Sequence, residues 1–300
     1  MTDWEQGLWR IGWAAQLAAS LEVMADKPGN VSWGRDFGDV RFVDFAASAI
    51  AIGPAMQAAP HVPVGVTIWR AVNDTRRFVS TNTNLGVILL LAPLAKAAGH
   101  APFERLQDAV HDVLQSLSVE DARRTYAAIR RSAPGGLGKA DRYDVRQGDP
   151  GVTLLEAMRV AQHRDVIARE YVTDFALTFE TGYPALTRFW AAGYRLRDAV
   201  IQTALTLLAQ EPDTLIARKE GWQTAEAVSR QAQRVLQAGG AFSDAGRRAL
   251  RDFDASLRGD RHRLNPGATA DLVTASLFLL ILREMEDDAS LSWPDLIARW

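Results

Sequence analysis

Apolar residues recur at helical spacing along nearly the whole chain, and they do not alternate in the period-two pattern that half-buried strands require. Trp13, Leu17, Leu21 and Met24 follow one another at intervals of four, four and three, which puts them on one helix face. Alanine and leucine are abundant, and both favour helix. No series of alternating segments joined by Asn-Gly or Asp-Gly turns appears. The spacing predicts helices over about 4–25, 41–59, 64–79, 84–99, 103–116, 119–132, 153–162, 165–181, 184–210, 222–238, 243–258, 268–285 and 290–299. The expected fold is an all-α, single-domain multi-helix bundle over residues 1–300.

Breakers separate these segments: Lys27-Pro28-Gly29, Pro60 to Pro63, Ala133-Pro134-Gly135-Gly136, Gly148-Asp149-Pro150-Gly151, Gly239-Gly240 and Pro266-Gly267. The stretch 133–151 is the longest irregular one, and it reads as a domain linker or a loop over a site. Helices of similar character flank it, which favours one domain carrying a mobile loop.

Composition narrows the function classes. The chain has 300 residues, 48% of them hydrophobic, enough for a substantial core. A formal net charge of −2 gives no general attraction to nucleic acid or to an anionic membrane. The absence of cysteine excludes disulfides, thiolate nucleophiles and Cys-ligated zinc. Met1-Thr2-Asp3-Trp4-Glu5 lacks the basic start of a signal peptide. The apolar run Val87 to Ala95 is too short for a bilayer, which needs about 20 residues. A cytoplasmic protein is expected, with a homo-oligomer left open.

Polar motifs interrupt the apolar pattern at a few places. Glu22 ends the first helix, and Lys27-Pro28-Gly29-Asn30 breaks it, because Pro28 disfavours helix at Lys27 and Gly29 permits a left-handed turn. Asp36 and Asp39 are three apart, in reach of one Mg²⁺, a cation that prefers oxygen ligands. Thr81-Asn82-Thr83-Asn84-Leu85-Gly86 precedes a very apolar helix whose start opens into the interior, where free backbone N–H groups bind anions. Glu170 and Asp174 are four apart on the 165–181 helix, as are Asp165 and Arg169. Asp213-Thr214 starts a helical turn carrying Arg218, whose planar fork suits phosphate. In Asn265-Pro266-Gly267-Ala268-Thr269-Ala270-Asp271, Asn265 is a good N-cap, Pro266 fits the first helical position and Gly267 leaves room for a ligand. Asp271 then sits one turn into an apolar helix, where a carboxylate is costly unless paired or metal-bound. Each motif also reads as an ordinary cap or a solvated face. Gly135-Gly136-Leu137-Gly138-Lys139 lacks the spacing and the preceding strand of a phosphate loop. The five histidines are scattered, without metal-ligand spacing, and read as bystanders.

In order, these motifs resemble the triphosphoribosyl-dephospho-CoA synthase family (CitG/MdcB type). The family's helix-terminal Glu and Lys-Pro-Gly correspond to Glu22 and Lys27-Pro28-Gly29. Its Asp-Met block, Phe and Ser-Ala correspond to Asp39-Val40, Phe42, Phe45 and Ser48-Ala49. Its Asn-Thr-His-Lys-Gly corresponds to Asn82-Thr83-Asn84-Leu85-Gly86. Its Asp-Thr-Asn-Leu with a following Arg corresponds to Asp213-Thr214-Leu215-Ile216 and Arg218. Its Pro-Gly-Gly-Ser-Ala-Asp-Leu corresponds to Pro266 to Leu272. Family His, His-Lys and Asn positions are Phe37, Asn84-Leu85 and Leu215 here, a pattern that resembles homologues in tetrahydromethanopterin-producing organisms.

The resemblance implies an ATP-dependent transferase that expels adenine and joins ribose C1 to a hydroxyl of 3'-dephospho-CoA, with Mg²⁺ on the triphosphate. Two other readings stay open: a (phospho)ribosyl transferase acting on a ribitol-containing precursor, and a non-catalytic nucleotide-binding scaffold. On this reading Glu22, Asp39 and Asp174 are the catalytic candidates. Asp36, Asp39 and Asp271 are the metal candidates. Lys27, Gly29, Asn30, Asn82, Thr83, Asn84, Gly86, Asp213, Arg218, Gly267 and Thr269 are the nucleotide-binding candidates. No nucleic acid or membrane partner is implied.

Overall fold

The structure, a computed structural model, describes residues 7, 9–259, 262–287, 298 and 300. Its α-helices in chain order are α1 (Trp9–Met24), α2 (Phe42–Ala51), α3 (Gly53–Gln57), α4 (Val64–Thr75), α5 (Leu85–Ala98), α6 (Leu106–Gln115), α7 (Val119–Ser132), α8 (Leu154–Ala161), α9 (Val166–Val172), α10 (Tyr183–Ala191), α11 (Leu196–Gln210), α12 (Thr214–Glu220), α13 (Trp222–Gln237), α14 (Asp244–Leu257) and α15 (Gly267–Asp287). Among the described residues no strand forms; one isolated bridge joins Ser32 and Arg35. The all-α expectation therefore holds. The helix expected over 290–299 lies outside the described residues. None of the described helices is by itself long and apolar enough to cross a membrane.

One hydrophobic cluster runs from Ile11 to Leu282 and joins α1, α5, α11 and α15 at its centre. Helix α5 is buried nearly all round, from Leu85 to Ala98. Pro93 within it has no N–H, so the Leu89 carbonyl four residues earlier loses its helical donor. The fully buried Tyr171 supplies the replacement, its hydroxyl donating to Leu89 O at 2.6 Å. Asp121 joins two helix starts. It forms a capping box with Ser118 at α7 and accepts from Gly65 N of α4 at 2.7 Å. A Cβ at Gly65 would lie 2.6 Å from the Asp121 Cα, so glycine permits that approach.

Three expected helices are broken, each for a local reason. The 41–59 segment divides at Ile52, where Gly53-Pro54 starts α3. The 184–210 segment divides between Ala191 and Leu196. The 165–181 segment divides most deeply. Helix α9 stops at Val172, Asp174 and Phe175 adopt positive φ (52° and 60°), and a π-helix runs from Leu177 to Gly182. Buried Glu170 caps that π-helix, accepting from Leu177 N, Thr178 N and the Thr178 hydroxyl. Glu170 and Asp174 therefore do not share a face: one points into the core and the other sits half-exposed at 3.0 Å from His111.

Candidate active site

The end of α1 and the starts of α5, α12 and α15 meet around one cleft. Its empty space, counted out to the open mouth, is about 780 Å³. Glu22 and Asn30 line it from the first motif, Asn82 to Gly86 from the second, Leu215 from the third, and Asn265, Gly267 and Asp271 from the fourth. Four stretches far apart in sequence thus supply one wall each. Two helix N-termini, those of α5 and α15, bring their positive dipole ends to the same space.

Asp271 is the most unusual group there. The residue edges the cleft with intermediate exposure, while its carboxyl is enclosed. It leans on the first turn of α5 and accepts a hydrogen bond from Val87 N. A Cβ on Gly86 would stand 2.0 Å from Asp271 Oδ2, so only glycine admits the carboxyl at that position. Burial pushes its pKa well above the usual aspartate range, and the nearby carboxylates of Glu22, Asp213 and Asp165 push it further. Both effects favour the protonated acid, the form that can donate a proton. Glu22 differs in its partner, an ion pair with Lys27 Nζ at 2.8 Å.

The amide- and hydroxyl-rich second motif is ordered by one internal bond and by residues of α2 and α4. Asn82 Oδ1 accepts from Leu85 N at 3.1 Å, the Thr83 and Ser48 hydroxyls lie 2.6 Å apart, and Asn84 Nδ2 donates to Ser48 O and Thr75 Oγ1. Asn84 occupies the N-cap position of α5 without a side-chain cap bond.

Several expected ligands stand behind the wall rather than in it. Lys27 is only 1% exposed, and its ammonium is spent on Glu22 and on the Glu22 and Ala25 carbonyls. Gly29, at φ 74°, sits against Leu257 and Pro266, and its N–H donates to Asp254 at 2.8 Å. Asp213 caps α12 through Leu215 N and Ile216 N, and its second oxygen accepts from Thr269 N and the Thr269 hydroxyl. That pair fastens the start of α12 to the start of α15. Arg218 pairs with Asp165 at 2.9 Å and lines an adjoining opening together with Asp271.

Other expectations need correction. Asp36 is exposed and accepts from Phe42 N at 2.7 Å as a turn is made before α2. Asp39 is exposed and lies 3.7 Å from His262. Neither lines the cleft that holds Asp271, so the proposed Asp36, Asp39 and Asp271 metal trio is not assembled. Among the described residues no three acidic or histidine side chains are grouped to hold a metal. Asp174 is drawn away with His111, because the positive-φ turn after α9 turns it outward.

Three residues of the neighbourhood escaped the sequence reading. Asn265 was expected to cap α15, yet its side-chain oxygen is buried, with no donor among the described residues, in a residue that lines the cleft. Asp165 was paired with Arg169 on spacing, but it caps α9 and holds Arg218, while Arg169 bonds Glu211 at 2.8 Å. His262, set aside as a bystander, stacks on Phe37 with ring centroids 3.5 Å apart. No sequence spacing signals this, since 225 residues separate the two rings.

Comparison with known proteins bears on the whole chain. The family model described as CitG: ATP:dephospho-CoA triphosphoribosyl transferase matches residues 8–290. The chain is 31% identical over 297 residues to the 2-(5''-triphosphoribosyl)-3'-dephosphocoenzyme-A synthase of Klebsiella pneumoniae, covering 89% of this chain and 88% of that one. It is 31% identical over 198 residues to the "Probable 2-(5''-triphosphoribosyl)-3'-dephosphocoenzyme-A synthase" of Pseudomonas syringae pv. tomato, where the match spans 66% of this chain and 60% of the relative. A solved structure from Archaeoglobus fulgidus that carries the triphosphoribosyl-dephospho-CoA synthase name superposes with a TM-score of 0.62 at 26% identity, over 79% of this chain and 98% of that one. With its motifs in order, its helices in place and the match running nearly end to end, the chain belongs to the CitG family of ATP:dephospho-CoA triphosphoribosyl transferases.

Proposed function

We propose that this protein transfers the triphosphoribosyl group of ATP to a hydroxyl of 3'-dephospho-CoA and releases adenine. The observation that carries the reading is the convergence of four family motifs on one cleft containing an enclosed carboxyl, Asp271. Breaking the bond from ribose C1 to adenine builds oxocarbenium character at C1, and two carboxyl groups on opposite faces of the sugar serve such chemistry. Asp271, protonated, gives its proton to the departing adenine. Glu22 takes the proton of the acceptor hydroxyl as that oxygen bonds to C1. The orphaned Asn265 oxygen accepts from a ribose hydroxyl or the adenine amino group. The N-termini of α5 and α15 face the triphosphate.

Mg²⁺ belongs to this reading as counter-ion of the triphosphate, held by phosphate oxygens and water with at most one carboxylate from the cleft. Among the described residues the side chains do not form a metal cage of their own. A cytoplasmic location, where ATP is abundant, goes with the same reading.

The test is direct. The protein is incubated with ATP, Mg²⁺ and dephospho-CoA, and free adenine and the product mass are measured. One adenine released per triphosphoribosyl-bearing product is the expected result. Absence of adenine under these conditions refutes the proposal, and adenine release only with a ribitol-containing acceptor would reassign the acceptor.

A further inference from the structure

A second, larger pocket lies near the cleft, and the transferase reading leaves it without a role. Its walls come from α7, α8 and α9, with Ile129 and Met158 forming an apolar floor. The segment between α7 and α8 lies across it. That strap is fastened by the Tyr126 hydroxyl on Tyr143 O at 2.7 Å, by Arg130 on Val145 O at 2.8 Å and by Arg164 on Lys139 O at 3.2 Å. The loop expected over a site is therefore a roof, and it roofs this pocket.

A third opening lies between this pocket and the reaction centre. It shares Gly86 and Asp271 with the cleft and Ile129 and Arg164 with the side pocket. Arg164 stands at the junction. Among the described residues no carboxylate pairs with it, and its one protein acceptor is the Lys139 carbonyl. Neighbouring Arg218 is by contrast already paired with Asp165. An available guanidinium at the mouth of an apolar pocket, one opening away from Asp271, matches a ligand whose phosphates precede an uncharged chain.

Resting on the transferase reading, we propose that this side pocket takes the long uncharged arm of the acceptor nucleotide, with the acceptor's diphosphate on Arg164. The acceptor hydroxyl then lies on the Asp271 side of the junction and the arm runs under the strap. Donor and acceptor thus enter from different sides, which keeps two adenine nucleotides from competing for one subsite.

Calorimetric titrations with ATP and with dephospho-CoA test this on the full-length wild type, on Arg164→Ala and on Ala161→Trp, which fills the pocket from α8. The expected result is a ten-fold or greater loss of dephospho-CoA affinity in both variants, with ATP affinity within two-fold of wild type. Retained ATP binding also reports that the variants are folded. Phosphopantetheine, the arm alone, is expected to displace dephospho-CoA from the wild type. Unchanged dephospho-CoA affinity in both variants, equal loss for ATP, or no dephospho-CoA binding by the wild type would overturn the assignment. Should the variants lose the acceptor as expected while the wild type releases no adenine, the pocket assignment stands and the transferase reading falls.

Discussion

Asp213 and Asp271 make an instructive pair. Both are enclosed carboxyl groups near helix starts, and burial raises the pKa of both. Asp213 receives four hydrogen bonds, two from α12 and two from Thr269 on α15. Those bonds, with Arg218 nearby, work against the effect of burial. Asp271 receives the Val87 N–H and faces three other carboxylates. Saturation marks Asp213 as a structural junction. Under-satisfaction beside an open cleft marks Asp271 as a group kept for a substrate.

Breaking the contrast at Asp271 gives the largest effect. Asp271→Asn is expected to lower turnover by about 10²–10⁴-fold, the range for a lost general acid, while raising the melting temperature, because it removes an enclosed acid from among like charges. The pH dependence of stability sharpens this. The native state holds the Asp271 proton at pH values where the unfolded chain has released it. Stability is therefore expected to fall as pH rises from the ordinary aspartate range towards the raised native value. The slope is expected to flatten in the Asn variant, and chemical denaturation at a series of pH values measures it. Equal slopes would mean Asp271 is ionised in the native protein.

Asp213→Ala should act on the fold instead. It strands Thr269 and two N–H groups of α12, at a cost of about 3 kcal/mol by denaturant unfolding. Gly86→Ala tests the seat of Asp271. The added methyl meets its carboxyl, and turnover is expected to fall about 10²-fold through misplacement, with a stability loss of about 1–3 kcal/mol from overpacking. Tyr171→Phe leaves the Leu89 carbonyl without a donor beside Pro93 and is expected to cost about 1–3 kcal/mol. The smallest effect belongs to Asp174→Ala. The half-exposed pair with His111 contributes under about 1 kcal/mol, and turnover within two-fold of wild type is expected. A hundred-fold loss there would reinstate Asp174 as a base.

The legible part of the site was its list of motifs. Glu22, Asn30, Asn82 to Gly86, Gly267 and Asp271 line the cleft because each sits at a helix end, and helix ends are written locally by Pro, Gly and capping residues. Lys27 and Asp213 were equally legible as motif members, yet their atoms are used up by neighbours that no local rule specifies. Asp36 and Asp39 looked like ligands because a spacing of three suits a helix, whereas that stretch is an exposed turn. The misplacement of Asp174 followed from continuing a helix through residues that adopt positive φ.

The sequence by itself determined the all-α class, most helix positions and the identity of the motif residues. These depend on periodicity and on chain breakers, which act over a few residues. Only the tertiary structure decided which carboxyl is saturated and which is left waiting, that His262 stacks on Phe37, and that the 133–151 strap roofs a pocket near the cleft. Those outcomes depend on burial and on hydrogen-bond partners tens to hundreds of residues away. Enclosure and partnership are properties of packed space, and spacing along the chain does not encode them directly.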